Sequence, residues 1–461
     1  MANVQPRRIV VLGAAGRDFH NFNVVYRDDP SSEVVAFTAA QIPGIANRRY
    51  PPVLAGPRYP EGIPIEDEAA LEEICRRDGV TLVVFAYSDV TYDHVMTLAS
   101  RALALGADFT LLGPARTMLQ APVPVVAVSA VRTGCGKSPI ARWLAGRLRA
   151  AGRRVAVVRH PMPYRDLERQ RVQRFATRGD LDAADCTIEE REEYEPHLAA
   201  GNVVYAGVDY TEIVARAGAE SDVLVWDGGN NDFPFVRPDL HVVVADALRP
   251  DDAAGYHPGE AVLRMADVAV ISKVNTASAE QVARAVATVT RVNPRAPIVR
   301  AALAVRLDAP ELVRGRRVLV VEDGPTITHG SMPYGAGFVA ATAAGAAAIL
   351  DPRPCAAGDI AAVFARHPHI GPVLPAIGYS AVQVEALRAT IERSGAELVV
   401  AATPVDLAPL LGLRTPVVRA RYELEDAGHP TLADFVDPWI AGVAASQRGR
   451  VAPIPPGGTA C

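Results

Sequence analysis

The chain is predicted to be an α/β protein, with a P-loop NTPase-like central domain and Rossmann-like α/β domains on either side. Three observations predict this. Short apolar runs recur along its 461 residues and alternate with helical patterns, as in a parallel sheet covered by helices. The stretch Ser129-Ala-Val-Arg-Thr-Gly-Cys-Gly-Lys-Ser138 lies between the apolar run Val125–Val128 and a segment with Ile140, Trp143, Leu144 and Leu148 on one helical face. The length itself suggests about three domains.

The first domain is expected over 1–120. Its strands are Arg8–Leu12, Glu33–Thr38, Thr81–Ala86 and Asp108–Leu112, with a helix carrying Met96, Leu98, Leu103 and Leu105. Tyr50-Pro-Pro-Val and Gly56-Pro-Arg-Tyr-Pro-Glu-Gly read as ordered loops, and Pro122 and Pro124 mark the boundary. The P-loop domain, 121–309, has strands at Val125–Ala130, Val155–Arg159, Asp222–Asp227, His241–Ala245, Val268–Ser272 and Pro297–Ala302. The third domain, 310–461, has strands at Arg317–Glu322, Val373–Ile377, Glu397–Ala401 and Pro416–Ala420. The Ala-rich stretch Ala340–Leu350 reads as a buried helix, and Ser380-x-x-Gln383 is a capping box. After Ser446 the tail is rich in Pro and Gly and is expected to fray.

Composition narrows the function classes. A net charge of −5 and a pI near 6.1 argue against a general nucleic-acid binder. The run Ile9–Leu12 is too short for a signal peptide or a bilayer span, so no membrane partner is expected. The five cysteines are scattered without a C-x-x-C pair, as in a reduced cytoplasmic protein.

The glycine-rich stretch is the strongest chemical signal. In a P-loop the glycines let backbone N–H groups crowd a phosphate and the helix N-terminus adds positive potential. Thr133, Gly134, Cys135, Gly136, Lys137 and Ser138 form the expected nucleotide cradle; Lys137 reaches the terminal phosphates and Ser138 offers oxygen to Mg2+. The consensus first glycine is replaced by Val131. Asp227 ends an apolar strand and continues into Gly-Gly-Asn-Asn-Asp232, the place where a neighbouring acid organises Mg2+. Ser272-Lys273-Val274-Asn275 stands where GTP-binding P-loop proteins carry Asn-Lys-x-Asp. With Asn275 replacing the acid that would bind guanine, adenine is favoured, so the nucleotide is expected to be ATP. A strand end leading into the helix capped by Ser278-x-x-Gln281 is the alternative for this element.

Three further clusters can meet an anionic substrate. Arg159 and His160 close a strand on the nucleotide side, followed by Arg165, Arg178 and an acidic run through Asp185, Glu189, Glu190 and Glu193 to His197. Arginine forks suit phosphates, and nearby acids can bind Mg2+ or hold the arginines; a solvated helix face is the alternative. The loop Glu322–Gly337 carries Thr326, Thr328 and His329 between a strand and a helix, where ligand loops sit in open α/β sheets. Gly13-Ala-Ala-Gly16-Arg17 follows the first strand; it is G-x-x-G, so a substrate contact by Arg17 competes with a plain βα turn.

Taken together, Arg132-Thr-Gly-Cys-Gly-Lys-Ser138, Asp185-Cys-Thr-Ile-Glu-Glu-Arg-Glu-Glu-Tyr-Glu-Pro-His197, Asp227-Gly-Gly-Asn-Asn-Asp232 and Glu322-Asp-Gly-Pro-Thr-x-Thr-His329-Gly resemble the cyclic 2,3-diphosphoglycerate synthetase family over nearly the whole length. The resemblance implies an ATP-dependent ligase or cyclase in a cytoplasmic homodimer. It would close 2,3-bisphosphoglycerate, or act on a related phosphorylated acid, and release ADP and phosphate. ATP and Mg2+ would sit at Lys137, Ser138 and Asp227, and the acid substrate at Arg159, His160 and the Thr328–His329 loop. A GTP-binding switch or metallochaperone-like NTPase is the alternative, motivated by Lys273.

Overall fold

The structure is a computed structural model. It describes residues 5–14, 16–40, 45, 47–160, 162, 165–229, 231–328, 332–378 and 380–450, without the side chains of 325, 326 and 444–450. His329 therefore lies outside the described residues, and the Thr326 side chain with it.

The chain builds two main sheets. In the first, the order is Arg48–Tyr50, Ile63–Asp67, Ser32–Ala39, Arg7–Leu12, Leu82–Phe85 and Asp108–Leu111, parallel except for the outer Arg48–Tyr50. The second has thirteen strands. Its P-loop half runs Gln173–Phe175, Val203–Ala206, Val155–Arg159, Val223–Asp227, Val125–Ala130, Leu240–Asp246, Val268–Ser272 and Ile298–Leu307. The last of these pairs antiparallel with Val417–Asp426, which begins the C-terminal half: Val417–Asp426, Leu398–Ala402 and Arg317–Asp323, then Ala348–Ile349 and Leu374–Ala376 beside Arg317–Asp323. The expected domain edge near 309 falls just after the strand that joins the halves.

Continuous valine-rich runs explain the central strands. Every residue of Val125–Ala130, Val223–Asp227, Leu240–Asp246 and Val268–Ser272 is buried, as suits a sheet covered on both faces. The helix Lys137–Ala150 buries Ile140, Ala141, Leu144, Ala145 and Leu148 against them. The final helix, Ala433–Arg450, returns to this core rather than staying with the C-terminal strands. Val436, Ile440 and Val443 join the apolar cluster of Ile140, Leu144 and Leu148, and Arg147 Nε donates to Asp437 Oδ1 at 2.7 Å.

Two local expectations change. The Ala-rich helix spans Ala336–Ala343 and stops before Gly345, whose φ of +78° turns the chain into the short strand Ala348–Ile349. The charged run divides: Arg165, Arg178 and Asp185 keep exposed side chains, whereas in the helix Ile188–Ala199, Glu189, Glu190, Glu192, Glu195 and His197 are all buried.

Candidate functional site

A cavity of about 1270 Å³ opens beside the glycine-rich turn. It is walled by the glycine-rich turn, the helix Ile188–Ala199, the N-terminal strand ends and the C-terminal strands.

The turn comes first, because its backbone is the least replaceable part. Gly134 and Gly136 adopt φ of +80° and +88°, and a Cβ on Gly136 would sit 2.2 Å from Leu303 Cδ1. Lys273 Nζ donates to Gly134 O and to Asp246 Oδ2, both at 2.7 Å. Arg249 Nη2 donates to Thr133 O at 2.7 Å, and Ser272 Oγ to Cys135 O at 2.6 Å. The turn is thus held from outside by side chains that leave its inner face to the cavity. Cys135 is buried, and burial pushes its thiol up to about 11, which suits a filler rather than a nucleophile. The Asn275 amide is taken up by the backbone: it donates to Leu303 O at 3.3 Å and accepts from Leu303 N at 3.2 Å.

Asp227 is the electrostatic centre. Lys137 Nζ lies 2.6 Å from its Oδ1, while Arg159 Nη1 at 2.6 Å and His197 Nε2 at 3.0 Å meet its Oδ2. Burial alone would raise its pKa, but Arg159, Lys137 and the His197 contact hold it well below the usual carboxylate range. Burial lowers the Lys137 pKa, partly offset by Asp227. Arg159 also grips Glu193. The charged run therefore supplies His197 and Glu193 to the P-loop network, which explains how its acids are tolerated inside.

His160 packs between two glycines. A Cβ on Gly16 would lie 2.3 Å from its Nε2, and one on Gly229 would lie 2.6 Å from its Cγ. Burial, followed by Arg17, Arg159 and Lys137, lowers its pKa to about 3, so the ring is neutral. Arg17 lines the cavity but is tied down: Nε donates to both Asp232 oxygens at 3.0 Å, and its guanidinium stacks 4.3 Å from the Phe235 ring centre. Asn231 clamps the neighbouring loops, accepting from Asp89 N at 2.8 Å and donating to Val131 O at 3.0 Å.

Other expected contacts divide. Glu189 lines the cavity. Glu190 instead caps its own helix, exchanging hydrogen bonds with Thr187. Arg165 and Asp185 pair with each other at 3.1 Å on the surface, away from the cavity lining. Thr328 donates to Gly324 O at 2.9 Å within its own short helix. Glu322 accepts N–H bonds from Gly335, Gly337 and Phe338 at 2.8–3.2 Å, so it caps the helix Ala336–Ala343.

Sequence reasoning missed Arg142, Thr403 and Tyr422, which line the cavity beside Glu192 of the acidic run and Asp323 of the Glu322–Gly337 loop. Arg142 was within reach: it follows Ser138 by one helical turn and so shares its face. Thr403 follows one C-terminal strand and Tyr422 lies in another, and neither strand carries a motif.

A Mg2+ ion fits this donor set only in part. Ser138 faces the cavity, but Asp227 already carries Lys137, Arg159 and His197, so direct coordination there would add a further cation to a saturated carboxylate. Among the described residues no cluster of three or more His, Cys, Asp or Glu is poised to hold a metal, and no helix is long and apolar enough to cross a membrane.

No family model matches the chain. Among solved structures, LpxK of Aquifex aeolicus in complex with ATP is 14% identical, with 76% of this chain and 96% of that one aligned and a TM-score of 0.43. The hydrogenase maturation factor HypB of Archaeoglobus fulgidus is 15% identical, over 39% and 81% of the two chains, with a TM-score of 0.22. Overlays this loose say nothing of activity. A curated relative is far nearer. Arginine synthetase ArcE of Thermococcus kodakarensis is 54% identical over 439 residues, covering 95% of this chain and 98% of its own. Its name shares the synthetase half of the resemblance read from the motifs, and not the substrate. With that identity across almost the whole of both chains, the protein belongs to the family of arginine synthetase ArcE.

Proposed function

We propose that the chain is an ATP-dependent synthetase whose product is arginine. The observation that carries this reading is a single cavity in which the glycine-rich turn and Lys137 share space with a wall of both charges: Arg142, Arg159 and Arg178 beside Glu189, Glu192, Glu193 and Asp323. The family tie supplies the product class. Such a wall suits a zwitterionic amino acid lying against a triphosphate.

The chemistry follows from what making a guanidinium requires. A ureido carbon holds an oxygen that cannot leave by itself. Transfer of the ATP γ-phosphoryl group to that oxygen releases ADP and makes phosphate the leaving group. Ammonia then attacks the carbon, the C–N bond forms, the C–O bond breaks, and phosphate departs with the proton that nitrogen gives up. The protein must hold donor and acceptor in line and balance the charge that moves between them. Lys137 is positioned for this. Asp227 fixes its ammonium in the cavity, and triphosphate oxygens offer it a second anion. Mg2+ enters the proposal only as the ion ATP brings, with Ser138 as the hydroxyl facing it.

Cyclisation of 2,3-bisphosphoglycerate is the second reading. It shares the first step, activation of an acceptor oxygen by the γ-phosphoryl group, and draws support from the cations Lys137, Arg142 and Arg178 on the same wall. The buried acids of the helix Ile188–Ala199 favour the first reading, since a polyanion gains nothing from them. Assaying ATP with each acceptor separates the two. Arginine formed from its ureido counterpart and ammonium supports the first; a cyclic pyrophosphate formed from bisphosphoglycerate, with no arginine, supports the second.

A further inference from the structure

The most unusual buried group in the cavity is Glu192, which is only 5% exposed. Its Oε1 accepts from Thr403 Oγ1 at 2.6 Å, and that hydroxyl in turn accepts from Val405 N at 3.2 Å. The chain of bonds fixes the plane of the carboxylate. Among the described residues, nothing donates a hydrogen bond to the other oxygen, Oε2. Asp323 is within hydrogen-bonding reach, Glu189 also adds negative potential, and no Lys, Arg or His forms an ion pair with Glu192 among the described residues. All three acids line the cavity.

A buried carboxylate such as Glu192, with no ion pair of its own and a second, half-buried carboxylate beside it, is costly unless a proton or a ligand's charge lies at its open oxygen. Three other acids of this helix have answers within the chain: Glu193 has Arg159, Glu195 has Arg191 and Glu190 has Gln170. Glu192 has a hydroxyl and an open acceptor.

We infer that Glu192, oriented by Thr403 and assisted by Asp323, is the seat for the guanidinium end of the ligand. This rests on the arginine reading above. The fork of a guanidinium can span neighbouring carboxylate oxygens and supplies the donors that Oε2 lacks. Placed there, the reacting end of the amino acid shares the cavity with Lys137, one helix position from the Glu193–Arg159–Asp227 chain that anchors that lysine.

In the unliganded protein, burial and then Asp323 raise the Glu192 pKa well above normal, so a proton occupies the seat. A guanidinium that takes its place must expel that proton. Calorimetry of the full chain with arginine and with agmatine, which keeps the guanidinium and lacks the carboxylate, tests this in buffers of differing ionisation enthalpy. Wild type is expected to release a proton on binding either ligand. Glu192→Gln is expected to bind both at least tenfold more weakly without proton release, while keeping its ATP affinity and melting temperature. Glu192→Asp, which keeps the charge, is expected to restore part of the affinity and the proton release, and covers the case in which Gln disturbs folding. Arginine binding by Glu192→Gln at wild-type strength overturns the seat and leaves the arginine reading standing. Agmatine bound through Glu192 in a protein that neither binds nor makes arginine keeps the seat and overturns that reading. Binding of neither by wild type overturns both.

Discussion

Lys137 Nζ and Asp227 Oδ1 stand 2.6 Å apart at the mouth of the glycine-rich turn, with the carboxylate wholly buried. The pair is a loaded arrangement: an ammonium held in a desolvated pocket by one anion, within a cavity able to admit another. Lys137→Ala is therefore expected to lower ATP-dependent turnover by at least about a thousandfold, the loss of about 4 kcal/mol of transition-state stabilisation. Circular dichroism should show the fold retained. Wild-type turnover in that variant would remove the lysine from the chemistry.

Asp227 has the opposite sensitivity. Asn at this position leaves Lys137 and Arg159 as buried cations with no shared counter-ion, a change that costs about 3–5 kcal/mol at comparable sites. Asp227→Asn should shift the urea unfolding midpoint of the central domain well below wild type, and its activity should fall even where it remains folded. An unchanged midpoint would mean the network does not stabilise this fold.

Gly136 tests the turn by itself. Its φ of +88° disfavours any L side chain, and its Cβ would press on Leu303. Gly136→Ala is expected to cost about 1–3 kcal/mol of stability and to weaken ATP binding, both read from melting curves with and without nucleotide. If the variant gains the full nucleotide-dependent shift in melting temperature, the turn does not hold the phosphates.

How far the sequence carried depended on what each residue had to satisfy. Val125–Ala130, Val155–Arg159 and Val268–Ser272 were legible to the residue because a parallel strand buried on both faces needs an unbroken apolar run. Ile63–Asp67 was hidden by Pro64, which the sheet accepts because that half of the strand pairs only with the outer strand, at Arg49 and Tyr50. The site was half legible. Lys137, Asp227 and Arg159 follow from strand ends around one sheet. For Glu192 and His197 the pattern left a site and a solvated face open, because nothing local shows that Arg159, Thr403 and Asp227 receive the charged run. Those partners lie up to 211 residues away in the chain, and local pattern carries no trace of them.

Glu322 offers a pH test outside the cavity. Burial, opposed by three backbone N–H bonds, pushes its pKa from 4.5 up to about 7. A carboxyl that keeps its proton longer when folded stabilises the fold below its unfolded pKa and loses that contribution as pH rises toward its folded one. Wild type should therefore lose on the order of 3 kcal/mol relative to Glu322→Gln between pH 4.5 and 7. Comparison with the variant matters, because His20, His160, His241 and His257, all lowered by burial to about 3 or 4, give a slope of opposite sign below their ordinary value of 6.5. A stability gap between the two proteins that stays constant with pH would contradict the assignment.

The central claim is that γ-phosphoryl transfer at the Lys137 turn drives arginine formation. Incubating the protein with ATP, the ureido counterpart of arginine and nitrogen-labelled ammonium, and counting both products by mass spectrometry, tests it most directly. The account predicts one labelled arginine for each ADP, and no ADP above background when the ureido acid is left out. ADP released at the same rate without that acid, or no label in arginine, would contradict it.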